Sequence, residues 1–301
     1  MNKIFNLIIT IIFVSLILIV YIKIDTISNF FLNIMNIDNK LVFNNEKKYV
    51  RDYNYLKFYI SDEYIVNNKD DILNVFFNQL NNGNDNFTFY CNDEYKECIT
   101  DVKDIINDDE LISKVNNYIS PFNSFKKLNS KIYDNGKINV SVVKNYSLSD
   151  ITELEKRIDD IIYELNINGV DDEVEKIRSI HNYIIKNVKY DEEMAVNKTS
   201  SYKSNTAYGA LVQGYAICTG YSDAMALFLD KLMIPNIQIT SLEHVWNLVY
   251  INNEWKHLDL TWNDTENTKY QTSYFLIDTN TLYNLDKAKH NFNLEFYLEA
   301  K

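Results

Sequence analysis

The chain has 301 residues and a mass of 35.5 kDa, enough for one large domain or two modest ones beside a membrane segment. Hydrophobic residues make up 46% of it, which suffices for a packed core, and six glycines and two prolines exclude long Gly- or Pro-rich linkers. A net charge of −12 excludes a basic footprint, so we expect no nucleic-acid partner.

An apolar segment runs from Ile4 to Ile22 with three polar interruptions. Its 19 residues are close to the ~20 that cross a bilayer as a helix. We therefore expect a transmembrane signal anchor over residues 1–24, with Lys3 inside the cell and the rest of the chain outside. A cleaved signal peptide is the alternative, but the apolar run is longer than a usual signal core and no Ala-x-Ala-like site follows it.

Two regions with no catalytic constellation follow the apolar segment. Residues 25–50 are polar and rich in Asn and Lys, which predicts a stalk. Residues 51–148 alternate between short helix and strand patterns, which predicts an accessory α+β region. Within it, Asp70 or Asp71 is expected to cap a helix, and Val102–Val115 is expected to form another.

The accessory region also carries strand and cysteine signals. Phe87–Cys91 predicts a strand, and Lys131–Val140 predicts a hairpin whose positive-φ turn is Asn135-Gly136. Cys91 and Cys98 are separated by six residues and would lie on the oxidising side of the membrane. The sequence leaves open whether they form a disulfide or remain unpaired thiols.

Residues 149–301 are predicted to form the catalytic domain. It opens with a helix that starts at Asp150, with Glu153 three residues later as a capping box. The next amphipathic helix places His181 on its apolar stripe, which favours a structural core histidine over a catalytic one. A polar loop over residues 191–204 is long enough to be mobile and to border a cleft.

Three segments of this domain carry the residue types of an activated thiol. Cys218 lies at a Gly-bounded turn that opens an apolar helix over residues 219–233, where backbone N–H groups and the helix dipole stabilise a thiolate. His244 begins one predicted strand and Asp259 lies late in the next, so the two can be neighbours across a hairpin. In such a triad the thiolate attacks a carbonyl, the imidazole transfers protons and the carboxylate orients the imidazole.

Each of these assignments has an alternative. Cys218 could be a buried structural cysteine. His257 is the rival base, because it shares a strand face with Asp259.

Gly220 is expected to keep the helix start free of side chains, so that the N–H groups of the helix start can form half of an oxyanion hole. We expect no cofactor, because no Gly-rich phosphate loop is present, and no metal, because no zinc-ligand spacing is present.

The triad segments resemble the transglutaminase-like superfamily, which shares a papain-like core. The resemblance spans roughly residues 172–292 and is carried by four motifs: Ala207-Tyr208-Gly209-Ala210-Leu211, Ile217-Cys218-Thr219-Gly220-Tyr221, His244-Val245-Trp246-Asn247 and Trp255-x-His257-Leu258-Asp259-x-Thr261-Trp262. Tyr274-Phe275-Leu276 and His290 fit the trailing part of bacterial members. The chain departs from the pattern at Thr219, where many members have Gln, and at Asn252-Asn253, which replaces a Gly turn.

The resemblance implies an α+β fold in which a central helix bearing Cys218 packs on an antiparallel sheet. It implies catalytic roles for Cys218, His244 and Asp259 in acyl transfer from a protein or peptide amide, with a cell-envelope protein as one candidate substrate. Water or a Lys amine can resolve the thioester, so peptidase or amidase activity and protein cross-linking both remain open. A non-catalytic binding or assembly module at the cell surface is the opposing hypothesis.

Overall fold

The computed structural model describes residues 64–265 and 271–300. The predicted signal anchor and stalk, and residues 51–63 of the accessory region, lie outside the described residues. Among those described, no helix combines the length and apolar character needed to span a bilayer. The described part mixes helices with two four-stranded sheets and one two-stranded sheet, which confirms the predicted α+β class.

The first sheet lies in the accessory region. It is formed by β1 (Ile65–Val66), β2 (Asn86–Cys91), β3 (Phe125–Ile132) and β4 (Lys137–Lys144), in the order β1-β2-β4-β3. The predicted strand and hairpin are confirmed as β2 and as β3–β4. Gly136 supplies the positive φ of the hairpin turn, at 75°.

Three helices accompany this sheet, namely α1 (Lys69–Asn81), α2 (Cys98–Asn107) and α3 (Asp109–Asn117). The predicted cap at Asp70 or Asp71 is wrong, because Asn68 caps α1 by accepting a hydrogen bond from the Asp71 N–H at 2.9 Å. The helix predicted over Val102–Val115 is present but is interrupted at Asp108. Asp108 is extended and caps α3 by accepting from the Leu111 N–H, which separates two helices.

Cys91 and Cys98 form a disulfide, so of the two open alternatives the structure has the bonded one. Their Cα atoms are 5.9 Å apart, and the bond ties the last residue of β2 to the first residue of α2. Cys218 is therefore the free cysteine among the described residues.

Two amphipathic helices lead toward the predicted triad, α4 (Leu148–Glu164) and α5 (Glu173–Asn187). The predicted helix start at Asp150 is wrong, because the helix begins at Leu148 and its N-cap lies three residues before Asp150. Ser147 is the N-cap, and its side chain and that of Asp150 exchange hydrogen bonds with each other's backbone N–H groups. His181 is fully buried in α5 and its Nε2 contacts the Asn263 amide at 3.0 Å, which confirms the predicted structural histidine.

The chain then crosses to a central helix through β5 (Lys189–Tyr190), α6 (Glu192–Asn197) and β6 (Tyr215–Ala216). That helix, α7, runs from Cys218 to Lys231. Its apolar sequence fits its position, because most of its surface is buried. Its buried members are Gly220, Tyr221, Ser222, Asp223, Ala224, Met225, Ala226, Leu227, Phe228 and Leu229. The helix Cys218–Lys231 thus forms the centre of the C-terminal core.

The second sheet packs against α7. Its strands are β7 (Asn236–Thr240), β8 (Val245–Ile251), β9 (Glu254–Leu258) and β10 (Phe275–Ile277), antiparallel in the order β10-β9-β8-β7. Asn252 and Asn253 both adopt positive φ in the β8–β9 turn, which Asn tolerates better than most residues. Two further helices follow β9, namely α8 (Leu260–Asn263) and α9 (Thr279–Asp286).

Candidate active site

Cys218 is the first residue of α7 and is partly exposed. The preceding Ile217 is extended and has no side chain that can cap the helix. The backbone N–H groups of the first turn have no carbonyl partners within the helix, because the hydrogen-bond ladder starts one turn later. The helix start is therefore free to stabilise negative charge at the thiol or on a substrate oxygen.

A bend of the chain over residues 203–206 supports this helix start. The Ser204 carbonyl accepts the Ile217 N–H at 2.9 Å, and the Ser204 hydroxyl donates to Asp191. Lys203 binds Asp150 at 2.6 Å, which fixes the bend to α4. Part of the loop predicted over residues 191–204 is helical, as α6, and Asp191 accepts hydrogen bonds from the Ser200 and Ser204 hydroxyls.

Gly220 has a different function from the one that we predict from the sequence. A Cβ atom at this position would lie 2.4 Å from the Ser204 carbonyl oxygen and 3.0 Å from that of Thr206. Gly220 is buried against this bend and is not among the residues that line the cleft at Cys218. Its missing side chain therefore lets the chain approach α7 closely, which sets the position of the helix start.

His244 and Asp259 meet at the ends of neighbouring strands. His244 immediately precedes β8, and Asp259 immediately follows β9, where its Oδ1 accepts the Trp262 N–H and caps α8. The Oδ2 atom of Asp259 lies 2.6 Å from Nε2 of His244. Asp259 was predicted to lie within the strand, but the strand ends at Leu258 and the carboxylate bends back toward the histidine.

The His244 ring connects Asp259 to Cys218. Cys218 and His244 line the same cleft, and because Nε2 is bonded to Asp259, Nδ1 is the ring nitrogen left for the thiol. Trp246 stacks on the ring with centroids 5.6 Å apart and planes 18° apart. The structure thus brings together all three residues that the sequence singles out, and packing fixes the plane of the imidazole.

Charge interactions define the protonation states of this pair. Burial by itself would lower the pKa of His244, but the Asp259 carboxylate and Cys218 together raise it to about 10. Burial would likewise raise the pKa of Asp259, but His244 and the hydrogen bonds from His244 and His290 lower it to about 2. At neutral pH the pair is therefore a carboxylate and an imidazolium.

His257, the rival base, does not contact Cys218. Its Nδ1 accepts the Trp246 indole N–H at 3.0 Å, and its Nε2 lies 3.0 Å from the Thr279 hydroxyl. Burial lowers the pKa of His257 to about 3, so the ring is neutral. A neutral ring held by two neighbours is a structural part of the core behind Trp246.

His290 joins the site although the sequence gives it no such role. It is fully buried, and its Nε2 lies 3.0 Å from Oδ2 of Asp259, the same oxygen that binds His244. Its Nδ1 lies 2.9 Å from the backbone carbonyl oxygen of Asp286. His290 lies 31 residues beyond Asp259 in sequence, after α9.

A cleft of about 480 Å³ opens at Cys218 and His244. One of its sides is the β7–β8 connection, in which Leu242 is almost completely exposed. The other comes from α3 and the start of β3, including Asn116 and Lys126. The accessory region therefore supplies part of the cleft wall, which the sequence does not predict because these residues are far apart along the chain.

One family model matches the segment that contains this site. Residues 163–260 match the model of the transglutaminase-like superfamily. The match includes Cys218, His244 and Asp259 and ends at Leu260, before His290. It confirms the predicted resemblance, and the chain contains a transglutaminase-like segment.

Sequence comparison with curated proteins gives no match. Among solved structures, one described as "Crystal structure of a TGase" is similar to this chain at 15% sequence identity and a TM-score of 0.37. The similarity covers 70% of this chain and 63% of that protein, so the chain spans less than two thirds of its length.

Proposed function

We propose that this protein is a thiol-dependent acyl-transfer enzyme that acts on protein or peptide amides through a thioester on Cys218. The observation that carries the proposal is the arrangement of three residues: Cys218 and His244 line one cleft, and Nε2 of His244 lies 2.6 Å from Oδ2 of Asp259. Cys218 is the nucleophile, His244 carries the proton and Asp259 orients His244. The family match supports this reaction class, because its segment includes all three residues.

The first half of the reaction starts from the thiolate and the imidazolium. The sulfur attacks the amide carbonyl carbon, a C–S bond forms, and the carbonyl π electrons move onto oxygen. The backbone N–H groups at the start of α7, where Cys218 lies, can donate to this oxyanion. When the carbonyl re-forms, the C–N bond breaks, and the leaving nitrogen takes the proton from His244.

In the second half a nucleophile gives its proton to His244 and attacks the thioester carbonyl. The C–S bond then breaks and returns the thiolate–imidazolium pair. Water as nucleophile gives hydrolysis, and a Lys amine gives a cross-link. Both outcomes use the same residues and differ only in what the cleft admits beside Cys218.

Mass spectrometry of the full chain tests the proposal. After incubation with a glutamine-containing peptide and a peptide nitroanilide, we expect an acyl adduct on Cys218, with Cys218→Ala as the matched control. Added glycine ethyl ester should appear in the product if an amine resolves the thioester, whereas only free acid should form if water does. A folded chain with neither adduct nor turnover would instead support the non-catalytic binding module.

We also propose that residues 1–24 anchor the chain in the membrane with the remainder outside the cell. The Cys91–Cys98 disulfide supports this topology, because disulfides persist mainly in oxidising compartments. Protease added to intact cells should digest the chain beyond about residue 25. Recovery of a soluble form that lacks residues 1–24 would show instead that the segment is a cleaved signal.

A further inference from the structure

The ring of His290 faces a hydrogen-bond acceptor at each nitrogen. The backbone carbonyl of Asp286 can only accept at Nδ1, and an ionised carboxylate can only accept at Nε2. The His290 side chain is fully buried, so bulk solvent does not reach either nitrogen. An unprotonated Nε2 would point its lone pair at the Asp259 oxygen, so satisfying both contacts requires an N–H on each nitrogen.

Aromatic rings surround His290 and favour a positive charge there. Tyr274 stacks on it with centroids 5.3 Å apart and planes 20° apart. The Trp246 and Trp262 rings lie 4.9 and 5.4 Å from it, centroid to centroid. Such rings attract a cation through their π electrons, most strongly where water is excluded.

We propose that His290 is a positioning residue: it carries a proton on both ring nitrogens and shares the Asp259 carboxylate with His244. The thiol, His244, Asp259 and His290 then form a tetrad. Only the consequence at Cys218 rests on the proposed function, because the state of His290 follows from its own contacts.

The second cation matters because Asp259 is fully buried. A buried carboxylate left without a charged partner is strongly destabilising. With His290 as a fixed counter-charge, Asp259 is already compensated when His244 gives its proton to the leaving group. The net charge of the tetrad is zero both as thiolate with imidazolium and as thiol with neutral His244.

A metal ion is the competing interpretation of this cluster, since one ligand atom from each of His244, Asp259 and His290 lies within 4.8 Å of the others. The contacts favour hydrogen bonds within this cluster over coordination of a metal ion. Both Nε2 atoms lie at hydrogen-bond distance from one oxygen, at 2.6 and 3.0 Å. The remaining Asp259 oxygen and the other His290 nitrogen already have backbone partners.

The titratable groups around His290 come from several elements. Asp259 and His257 face it from the end of β9, His244 from the start of β8, and Tyr274 from the segment before β10. On its own side, Lys289 is paired with Glu243 outside the cluster. Asp259 is therefore the anion in direct hydrogen-bond contact with the ring.

The first test reads the ring nitrogens of the full chain by NMR, with histidine labelled by ¹⁵N. The chain has 4 histidines, and one variant of each assigns the spectrum. We expect both nitrogens of His290 to be protonated at pH 7, whereas His257 should carry one proton. An unprotonated Nε2 on His290 overturns the proposal, and signals that shift on zinc removal by a chelator would assign the cluster to a metal.

The second test is the pH profile of Cys218 alkylation in His290→Gln, with His257→Gln as the matched control. Loss of a positive charge disfavours a thiolate, so the acid limb of the profile should move upward by about one pH unit. A purely structural role would lower the melting temperature without moving the limb, and that result would overturn the proposal. The NMR arm uses the native chain, so it decides the question even if His290→Gln does not fold. If Cys218 is not alkylated at all, the proposed function is refuted, whereas the NMR result on His290 is unaffected.

Discussion

Asp259→Asn is expected to lower kcat by roughly 10³–10⁴-fold, the size of loss that follows removal of the orienting carboxylate in other hydrolase triads. The amide can still accept the Trp262 N–H and so keep the α8 cap. Its NH₂ group, however, would face Nε2 of His244 as a donor. The ring would then carry its proton on Nδ1, facing Cys218, and could not accept the thiol proton.

His257→Gln is the matched control for Asp259→Asn. It removes a buried histidine from the same strand region, but one whose partners are Trp246 and Thr279. We expect kcat to change by less than about tenfold, with KM unchanged for both variants. Thermal melts of both proteins exclude unfolding. A loss at His257→Gln as large as that at Asp259→Asn would refute the assignment of His244 as the base.

The sequence predicts the members of the candidate triad because each stands where local structure and chemistry coincide. Cys218 opens an apolar helix, and His244 and Asp259 border a two-strand hairpin, so a short-range argument brings the latter two close together. The approach of His244 to Cys218 cannot be predicted from neighbouring residues in the sequence. It follows from the packing of α7 against β7 and β8.

Other features depend on tertiary packing that no local pattern encodes. His290 reaches Asp259 from a polar segment after α9, and its ring is enclosed by Trp246, Trp262 and Tyr274. The sequence did contain one signal for His290, because this histidine belongs to the trailing motif of the family resemblance. From that motif we predict only that His290 fits the family pattern, and we assign it no role in the site.

The errors at helix starts have a simpler cause. An acidic residue in the first turn and an Asn or Ser just before it are both good capping residues. At Asn68 and Ser147 the backbone is extended, so these residues cap α1 and α4, and Asp71 and Asp150 fall inside the helices. Sequence alone ranks such neighbouring caps poorly, and the predicted start shifts by two or three residues.

His244→Ala is the second variant with a large expected effect, and its readout needs no substrate. An ordinary thiol with a pKa of ~8.5 is only about 0.3% thiolate at pH 6. A Cys218 thiolate stabilised by the imidazolium would react with iodoacetamide at that pH far faster. Removing the ring should therefore slow labelling at pH 6 by roughly 10²-fold, and the rate should recover as the pH rises toward 9.

The pH of this experiment follows from the pKa values of the pair. The lowered pKa of Asp259, about 2, means that the carboxylate is lost only as the pH falls toward 2. The raised pKa of His244, about 10, means that the imidazolium is lost only as the pH rises toward 10. At pH 6 both charges are present, so the difference between native protein and His244→Ala reports the ion pair itself.

The most direct test of the proposed pair of Cys218 and His244 is the rate of Cys218 alkylation by iodoacetamide at pH 6, in the native full chain and in His244→Ala. Because Cys91 and Cys98 are joined, Cys218 is the thiol open to labelling among the described residues, and the site is read by mass spectrometry. We predict rapid labelling of the native chain and a roughly 10²-fold slower rate in the folded variant. Equal rates in the two proteins, both as slow as a free model thiol, would contradict this prediction.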